Sequence, residues 1–173
     1  GDVYKRQTNI LALVGKIILS IERKFRSPRA ESYFAWKLTF DAWGNKISNK
    51  RTNFDWLSND TFQVDKYIQD KLCGFDISLQ SWLEVAEAVF YSSRNLSMIP
   101  SNFPICLVGG EQDPCTNYGK DMRKLAARLK RMGHVNFSHE TIRGCRHETL
   151  NEISREHYVG IFLDWLQDQT KRN

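Results

Sequence analysis

The stretch that decides the fold is Pro104-Ile-Cys-Leu-Val-Gly-Gly-Glu-Gln-Asp-Pro114. Its short apolar run, Ile105 to Val108, has the length and composition of a buried strand. The run ends at Gly109-Gly110, where a backbone can turn without a Cβ clash, and the acid Asp113 follows. Loops that leave the carboxyl ends of parallel strands are where α/β sheets build their sites. Asp113 is therefore the first candidate for a functional side chain.

The residues after this stretch predict a strand–helix–strand–helix order. A helix is expected over Tyr118 to Met132, because apolar residues share one face and Gly133 suits its C-terminal cap. A second strand is expected over Val135 to Ile142, and a closing helix over Leu150 to Gln169. The inward face of the closing helix is predicted to consist of Ile153, Val159, Phe162, Leu163 and Leu166. This order indicates two parallel strands joined by a right-handed crossover.

The first hundred residues predict helices without strands of their own. Apolar residues recur at three- and four-residue intervals on one helix face, which consists of Ile10, Val14, Ile17, Ile21 and Phe25. Further helices are expected over Ser32 to Trp43, over Thr61 to Gln69, and from Leu79 onward with Ser78 as N-cap. Between them, Lys46 to Asp60 is predicted to be a loop packed by its own aromatic side chains.

Two strands cannot make a stable parallel sheet, because such sheets need both faces and most edges covered. The fold class predicted is therefore α/β, with a helical cap followed by the last two βα units of a larger parallel sheet. Residues 8–100 are assigned to the cap region and the return to the core, and residues 101–173 to the C-terminal βαβα part. Residues 1–7 are set aside as a non-native leader, since the chain starts at Gly1 and not at Met.

The composition excludes several classes of protein. With 173 residues, 41% hydrophobic, the chain is not disordered as a whole. The net charge of +5 comes partly from Arg123 to Arg131, which share a helix with an apolar face and are read as its solvated side, so no nucleic-acid partner is predicted. The basic group Arg23 to Arg29 leaves a peripheral contact with an anionic membrane surface open. The apolar run Ile10 to Ile21 is too short to span a bilayer.

The four cysteines predict a reducing, cytoplasmic location. No two of them form a CxxC pair, and Cys106 lies inside the predicted strand, where a free thiol behaves as a small hydrophobe. No disulfide framework is expected. The oligomeric state cannot be read from the sequence.

The chemistry is predicted to reside in Asp113 and in His147, which follows it by 34 residues (147 − 113). In an α/β-hydrolase arrangement the triad members follow in the order Ser, Asp or Glu, then His, with the acid after a late strand and the base after the last. Asp113 and His147 match that order and those positions. A buried carboxylate there would orient the imidazole and stabilise the imidazolium. No Gly-x-Ser-x-Gly motif occurs in the chain, so the nucleophile is expected outside it.

Four motifs carry a resemblance to a known family: Arg51-Thr-Asn-Phe-Asp-Trp-Leu-Ser58, Val64-Asp-Lys-Tyr-Ile68 with Leu72-Cys-Gly-Phe75, Gly109-Gly-Glu-Gln-Asp-Pro114 and Arg146-His-Glu-Thr-Leu-Asn-Glu152. In combination they resemble the bacterial α/β-hydrolases known as lysophospholipases, which are similar to monoacylglycerol lipases and grouped with the serine aminopeptidase-like hydrolases.

This resemblance implies that Asp113 is the acid and His147 the base of a Ser-His-Asp triad. It also implies that Ile10 to about Ser93 contains a cap whose apolar faces line an acyl-chain tunnel. The expected activity of the intact parent is hydrolysis of a small lipid-like ester, lysophospholipid or monoacylglycerol, through an acyl-enzyme and without cofactor or metal. The chain itself is expected to be an inactive C-terminal fragment.

Three alternatives stay open at this point. One is a zinc site drawn from Cys145, His147, His157, His134 and His139, although the spacings fit no standard pattern. Another is Cys115 as a nucleophile with His147, although it lacks an evident activating neighbour. The third is a non-catalytic module that binds a lipid surface or a protein through the cap helices.

Overall fold

The computed structural model describes residues 3–171, and their side chains from residue 13 on. Of the predicted leader, residues 1–2 lie outside the described part, whereas residues 3–7 belong to the first helix. The side chain of Ile10 also lies outside it. The helices are α1 Val3–Phe25, α2 Tyr33–Trp36, a π-helical turn Lys37–Asp41, α3 Ala42–Gly44, α4 Thr61–Gln69, α5 Leu79–Arg94, α6 Lys120–Arg131 and α7 Arg155–Lys171. Two 3₁₀ turns, Leu96–Met98 and Thr149–Asn151, and two strands, β1 Ile105–Gly110 and β2 Phe137–Ile142, complete the elements.

The chain divides into two compact units. Unit 1 contains the described residues up to Thr39 together with Phe75–Ile99, and unit 2 contains Phe40–Gly74 together with the described residues from Pro100 on. Within the part of the chain that the structure describes, no helix is both long and apolar enough to cross a membrane.

Unit 1 is built from the packing of α1 against α5 and α2. Its small core consists of Leu19, Ala35, Leu79 and Leu83, with Trp82 against it. Ser78 caps α5 as predicted, because its side chain accepts a hydrogen bond from the backbone N–H of Ser81. Ser32 caps α2 by accepting from Ala35 N–H, and its hydroxyl donates to Glu22 at 2.6 Å.

The apolar face that the sequence predicts on α1 points away from this core. Val14, Ile17 and Ile21 are about half exposed and Phe25 is 83% exposed, while Leu19, on the opposite side of the helix, is buried. Alongside this face an open groove is lined by Ile18, Ile21, Phe25 and Phe34, with the ion pair Glu22–Arg26 at its rim.

Unit 2 contains the predicted parallel strand pair. β1 and β2 run in register from Ile105 opposite Phe137 to Gly110 opposite Ile142, and α6 connects them. Gly133 follows α6 with φ +84°, as its predicted place at the helix end requires. Ile105 to Val108 form a strand as predicted, but they are half-buried and not buried, because β1 has one neighbouring strand among the described residues.

Gly109 and Gly110 are the last two residues of β1, not a turn after it. Backbone pairing continues past them, since Glu111 N–H donates to Ile142 O at 2.8 Å and Gln112 N–H to Cys145 O at 2.7 Å. A Cβ on Gly110 would lie 2.1 Å from the carbonyl oxygen of Arg146. Glycine is therefore required there by close backbone approach and not by a turn.

The predicted inward face of the closing helix is wrong. Ile153, which precedes α7, is 75% exposed, and on α7 itself Val159, Phe162, Leu163 and Leu166 are 38–49% exposed. The buried face instead carries Tyr158, which packs with Ile161 against Ile142 and Cys145 at the end of β2. Tyr158 also donates a hydrogen bond to the thiol of Cys145.

Candidate active site

The two residues predicted to carry chemistry meet in unit 2. Nδ1 of His147 lies 3.1 Å from Oδ2 of Asp113, so with its proton on Nδ1 the ring donates to the carboxylate. Asp113 is 2% exposed, whereas the side chain of His147 is 37% exposed. A buried acid thus orients an accessible imidazole, and Nε2 is the ring nitrogen left free of Asp113.

The loop after β1 holds the Asp113 carboxylate rigidly. Its second oxygen, Oδ1, accepts a hydrogen bond from the backbone N–H of Cys115 at 2.8 Å. The carbonyl oxygen of Asp113 accepts from Tyr118 N–H at 2.8 Å. The loop then passes through left-handed conformations at Asn117, Tyr118 and Gly119 before α6 begins. Both carboxylate oxygens are therefore committed to named donors.

The pKa values of the pair move apart in the directions that an ion pair requires. Burial alone would raise the pKa of Asp113, but the hydrogen bond from His147, its charge and the N–H of Cys115 together hold that pKa below its ordinary value. The hydrogen bond to Asp113 raises the pKa of His147 above its ordinary value, against the opposing effect of burial. The site therefore stabilises a protonated imidazole beside an ionised carboxylate, as a general base needs after it has taken a proton.

Aromatic side chains support the imidazole from one side. The ring of Trp56 lies 5.0 Å from that of His147, at 51°. Trp56 is 4% exposed, stacks on Phe40 at 5.9 Å and contacts Trp43 at 5.0 Å. Trp56, an aromatic residue of the loop Lys46 to Asp60, thus packs against the site and against aromatic rings that precede the loop.

The segment before and after His147 is fastened to the same loop by hydrogen bonds. The guanidinium of Arg146 donates to the carbonyl oxygens of Asp55 at 2.6 Å and Ser58 at 3.0 Å. The backbone N–H of Glu148 donates to Leu57 O at 2.8 Å. His147 is therefore held between two residues that are each tied to the loop 55–58.

Glu152 is the centre of this fastening. It is 2% exposed and accepts hydrogen bonds from Arg146 N–H at 2.7 Å and from Asn59 N–H at 3.1 Å. The side chain of Asn59 donates to the same carboxylate and to Gly144 O. Arg146 and Glu152 belong to one of the sequence motifs and Asn59 directly follows another, but their spacing assigns them no role. A buried carboxylate that accepts two backbone N–H groups joins the loop before α4 to the loop that carries His147.

Cys115 lies next to the pair. Asp113, Cys115 and His147 each offer a possible metal-ligand atom, and these atoms lie within 4.8 Å of one another. As a nucleophile Cys115 is disfavoured, because burial and the neighbouring charge of Asp113 raise the pKa of its thiol to about 11. The cluster also differs from the zinc set suggested by the sequence, of which it contains only His147. Cys145 is instead buried, and its thiol forms hydrogen bonds with the hydroxyl groups of Tyr158 and Ser154.

The β1–α6–β2–α7 order, with an acid after the first strand and a histidine after the second, matches the C-terminal part of the α/β-hydrolase fold. The chain belongs to the serine aminopeptidase S33 family, whose model matches residues 5–154. The predicted α/β-hydrolase fold class and the grouping with the serine aminopeptidase-like hydrolases are thereby confirmed, and the lysophospholipase subtype stays a prediction. No curated protein matches the chain significantly.

Two solved structures show the same fold. One is a highly thermostable carboxyl esterase from Bacillus coagulans, crystallised with glycerol, which is 18% identical, with a TM-score of 0.79 over 92% of this chain and 52% of that one. The other is a lipase in its open form, which is 23% identical, with a TM-score of 0.73 over 87% of this chain and 50% of that one. The chain therefore spans about half the length of these relatives.

Proposed function

We propose that this chain supplies the acid and the base of a serine hydrolase that cleaves carboxylic esters of lipid-like substrates. Asp113 is the acid, His147 is the base, and the serine belongs to the half of the fold that the chain does not span. The observation that carries the proposal is the 3.1 Å contact between His147 Nδ1 and the buried carboxylate of Asp113. The family of the chain supports it.

The mechanism follows from the free ring nitrogen. With Nδ1 donating to Asp113, the lone pair of the neutral imidazole is on Nε2, which would accept the proton of the serine hydroxyl as the serine attacks the ester carbonyl. The resulting imidazolium would pass that proton to the leaving alcohol, and an acyl-enzyme would form. Nε2 would then take a proton from water, whose oxygen attacks the acyl carbon; the imidazolium would return this proton to the serine oxygen as the acyl–serine bond breaks and the carboxylic acid is released. The raised pKa of His147 supports this role.

A lipid-like substrate, lysophospholipid or monoacylglycerol, is supported by unit 1. Residues 8–100, which contain α2, α5 and most of α1, are proposed as the cap and the return to the core. Its groove between α1 and Phe34 is apolar, and large apolar side chains of α1 are exposed beside it. Such a surface favours an acyl chain over a charged peptide. The four free thiols support a cytoplasmic location.

The test is made on the full-length enzyme encoded by the gene. Its upstream part should contain a serine in a strand–turn–helix elbow, and the enzyme should hydrolyse monoacylglycerol or lysophospholipid faster than an aminoacyl anilide. His147→Ala should lower kcat by about 10⁴-fold or more, whereas His157→Ala, an exposed histidine on α7, serves as the matched control. Faster cleavage of the anilide would exclude the lipid-ester proposal. The 173-residue chain alone should not be labelled by a fluorophosphonate.

A second candidate is a non-catalytic module that binds a lipid surface. The exposed face of α1, which ends in Phe25 beside Lys24, favours it. Under this alternative the chain binds anionic vesicles, Ile17→Glu with Ile21→Glu abolishes binding, and the full-length protein has no esterase activity. Activity that depends on His147 would reject it.

A further inference from the structure

The thiol of Cys115 has no part in the proposed hydrolysis, yet it lies against the residues that do. It follows Asp113 by two positions, and its own backbone N–H donates to Oδ1 of that carboxylate. This hydrogen bond holds Cys115 close to the carboxylate of Asp113. The three side chains present one oxygen, one sulfur and one nitrogen ligand atom, all within 4.8 Å of one another.

The separations suit a tetrahedral cation after small movements. Neighbouring ligand atoms around a Zn²⁺ ion, with bonds of about 2.0–2.3 Å, are about 3.3–3.6 Å apart. The pair formed by His147 Nδ1 and Asp113 Oδ2, at 3.1 Å, is already close to that spacing. From separations within 4.8 Å, the sulfur of Cys115 needs to approach by about 1.5 Å at most, a distance that rotation about its Cα–Cβ bond covers.

The cluster can be reached from solvent, and its nitrogen and sulfur ligand atoms favour a thiophilic ion. The side chain of His147 is 37% exposed, so a cation can reach the cluster from solvent, while the carboxylate of Asp113 is buried. Nitrogen and thiolate ligands select Zn²⁺ and Cd²⁺ over Mg²⁺ or Ca²⁺, which prefer oxygen. Three protein ligands would leave the fourth position to water.

We propose that Asp113, Cys115 and His147 form an inhibitory site for a thiophilic divalent cation. Binding forms bonds from the metal to a carboxylate oxygen, to Sγ and to Nδ1, releases the thiol proton to water and moves the imidazole proton from Nδ1 to Nε2. With a proton on Nε2, the neutral ring cannot accept a proton from a serine. Metal binding does not depend on the proposed function. The inhibitory role does, because it rests on His147 acting as the base of a hydrolase.

Binding is tested on this chain with Cd²⁺, whose bond to a thiolate produces an ultraviolet charge-transfer band. Cys115→Ser should remove the band and weaken Cd²⁺ binding by about tenfold or more, since loss even of a residue that only orients a metal ligand costs that much. Cys106→Ser and Cys73→Ser, which remove other free thiols, should keep both. His147→Gln keeps the thiol but should also lose affinity. Unchanged Cd²⁺ affinity in Cys115→Ser or in His147→Gln would overturn the site.

The inhibitory role is tested separately on the full-length enzyme. Zn²⁺ should inhibit esterase activity, a chelator should restore it, and Cys115→Ser should raise the inhibition constant by about tenfold or more, each variant being compared with its own metal-free rate. If the enzyme is active and binds Cd²⁺ but is not inhibited, the proposed inhibitory role is wrong and the proposed metal site stands. An enzyme without esterase activity that still binds Cd²⁺ through Cys115 would contradict the proposed function and not the site.

Discussion

The carboxylate of Glu152 accepts a hydrogen bond from the backbone N–H of Arg146 at 2.7 Å. Arg146 immediately precedes His147, so this contact helps to position the candidate base. Glu152 does so through the backbone of the neighbouring residue. The same carboxylate also accepts from Asn59 N–H, so one side chain joins two loops whose donors, Asn59 and Arg146, are 87 positions apart (146 − 59). The orientation of His147 therefore depends on a residue outside the proposed triad.

Replacing Glu152 should destabilise the fold. Glu152→Gln keeps the shape, and its carbonyl oxygen can still accept from Arg146 N–H and Asn59 N–H at the position of Oε1. Its NH₂ group, however, replaces Oε2, so the 3.1 Å hydrogen bond from Asn59 N–H is lost and two donors face each other. A lost hydrogen bond to a buried charge costs about 2–3 kcal/mol in the free energy of unfolding. Urea unfolding of the chain measures this, with Glu156→Gln on the exposed start of α7 as control. Equal midpoints for the two variants would contradict the fastening role.

The pKa of His147 should fall when Asp113 loses its charge. Asp113→Asn removes the hydrogen bond to a carboxylate and the attraction that raise this pKa, and leaves the effect of burial, which lowers it. An NMR titration of the ring protons of His147 in the chain measures the shift. Asp121→Asn, an exposed acid of α6 that pairs with Lys124, is the control and should leave the titration unchanged. An unshifted titration in Asp113→Asn would show that the two side chains do not interact in solution.

The contribution of the pair to stability should depend on pH in two directions. The pKa of His147 is raised by folding, so its contribution is fully present below its unfolded pKa of about 6.5 and is lost as pH rises through the folded value. The pKa of Asp113 is lowered, so its contribution is present above about 3.9 and is lost as pH falls through the folded value. The pair therefore stabilises most between about pH 4 and pH 6.5.

Urea unfolding of wild type and His147→Gln across pH measures that contribution. The difference in free energy of unfolding should be largest near pH 5 and smaller at pH 9. A difference that is constant with pH would show that His147 contributes by packing alone, for example against Trp56.

Gly110→Ala, which adds a single methyl group, should lower the free energy of unfolding of unit 2. The added Cβ would lie 2.1 Å from Arg146 O and 2.2 Å from Cys145 O, both backbone atoms that cannot move without shifting the His147 loop. Overpacking of this kind costs about 1–3 kcal/mol. In contrast, Gly160→Ala, inside α7 with nothing within 4 Å of the added methyl, should stabilise by up to about 1 kcal/mol. Thermal unfolding of both variants compares them, and a gain in stability for Gly110→Ala would refute the packing argument.

Local patterns in the sequence were sufficient for most elements. The bounds of α4, the N-cap Ser78 of α5 and the parallel pairing of β1 with β2 are as predicted. Hydrophobic period, caps and turn residues act within a few positions of one another, so one sequence contains them. The position of Asp113 after one strand and of His147 after the next also predicted that these side chains meet. Their catalytic role is still a proposal.

The sequence could not show which faces and loops would meet across long separations. It placed the wrong face of α7 inward, because Val159 and Tyr158 are both apolar enough to pack and only the position of β2 selects Tyr158. It contained Glu152, Arg146 and Asn59 without indicating that they bond. Hydrogen bonds between loops have no period and no fixed spacing.

By itself, then, the sequence determined the element order, the parallel pair and the two side chains at the carboxyl ends of its strands. The tertiary structure decided that Asp113 is buried and His147 accessible, that Glu152 fastens the histidine loop to residues 55–59, and that Cys115 joins the pair. The difference has one physical reason. Backbone preferences are local and additive along the chain, whereas burial, hydrogen-bond partners and pKa depend on which distant segments the fold brings together.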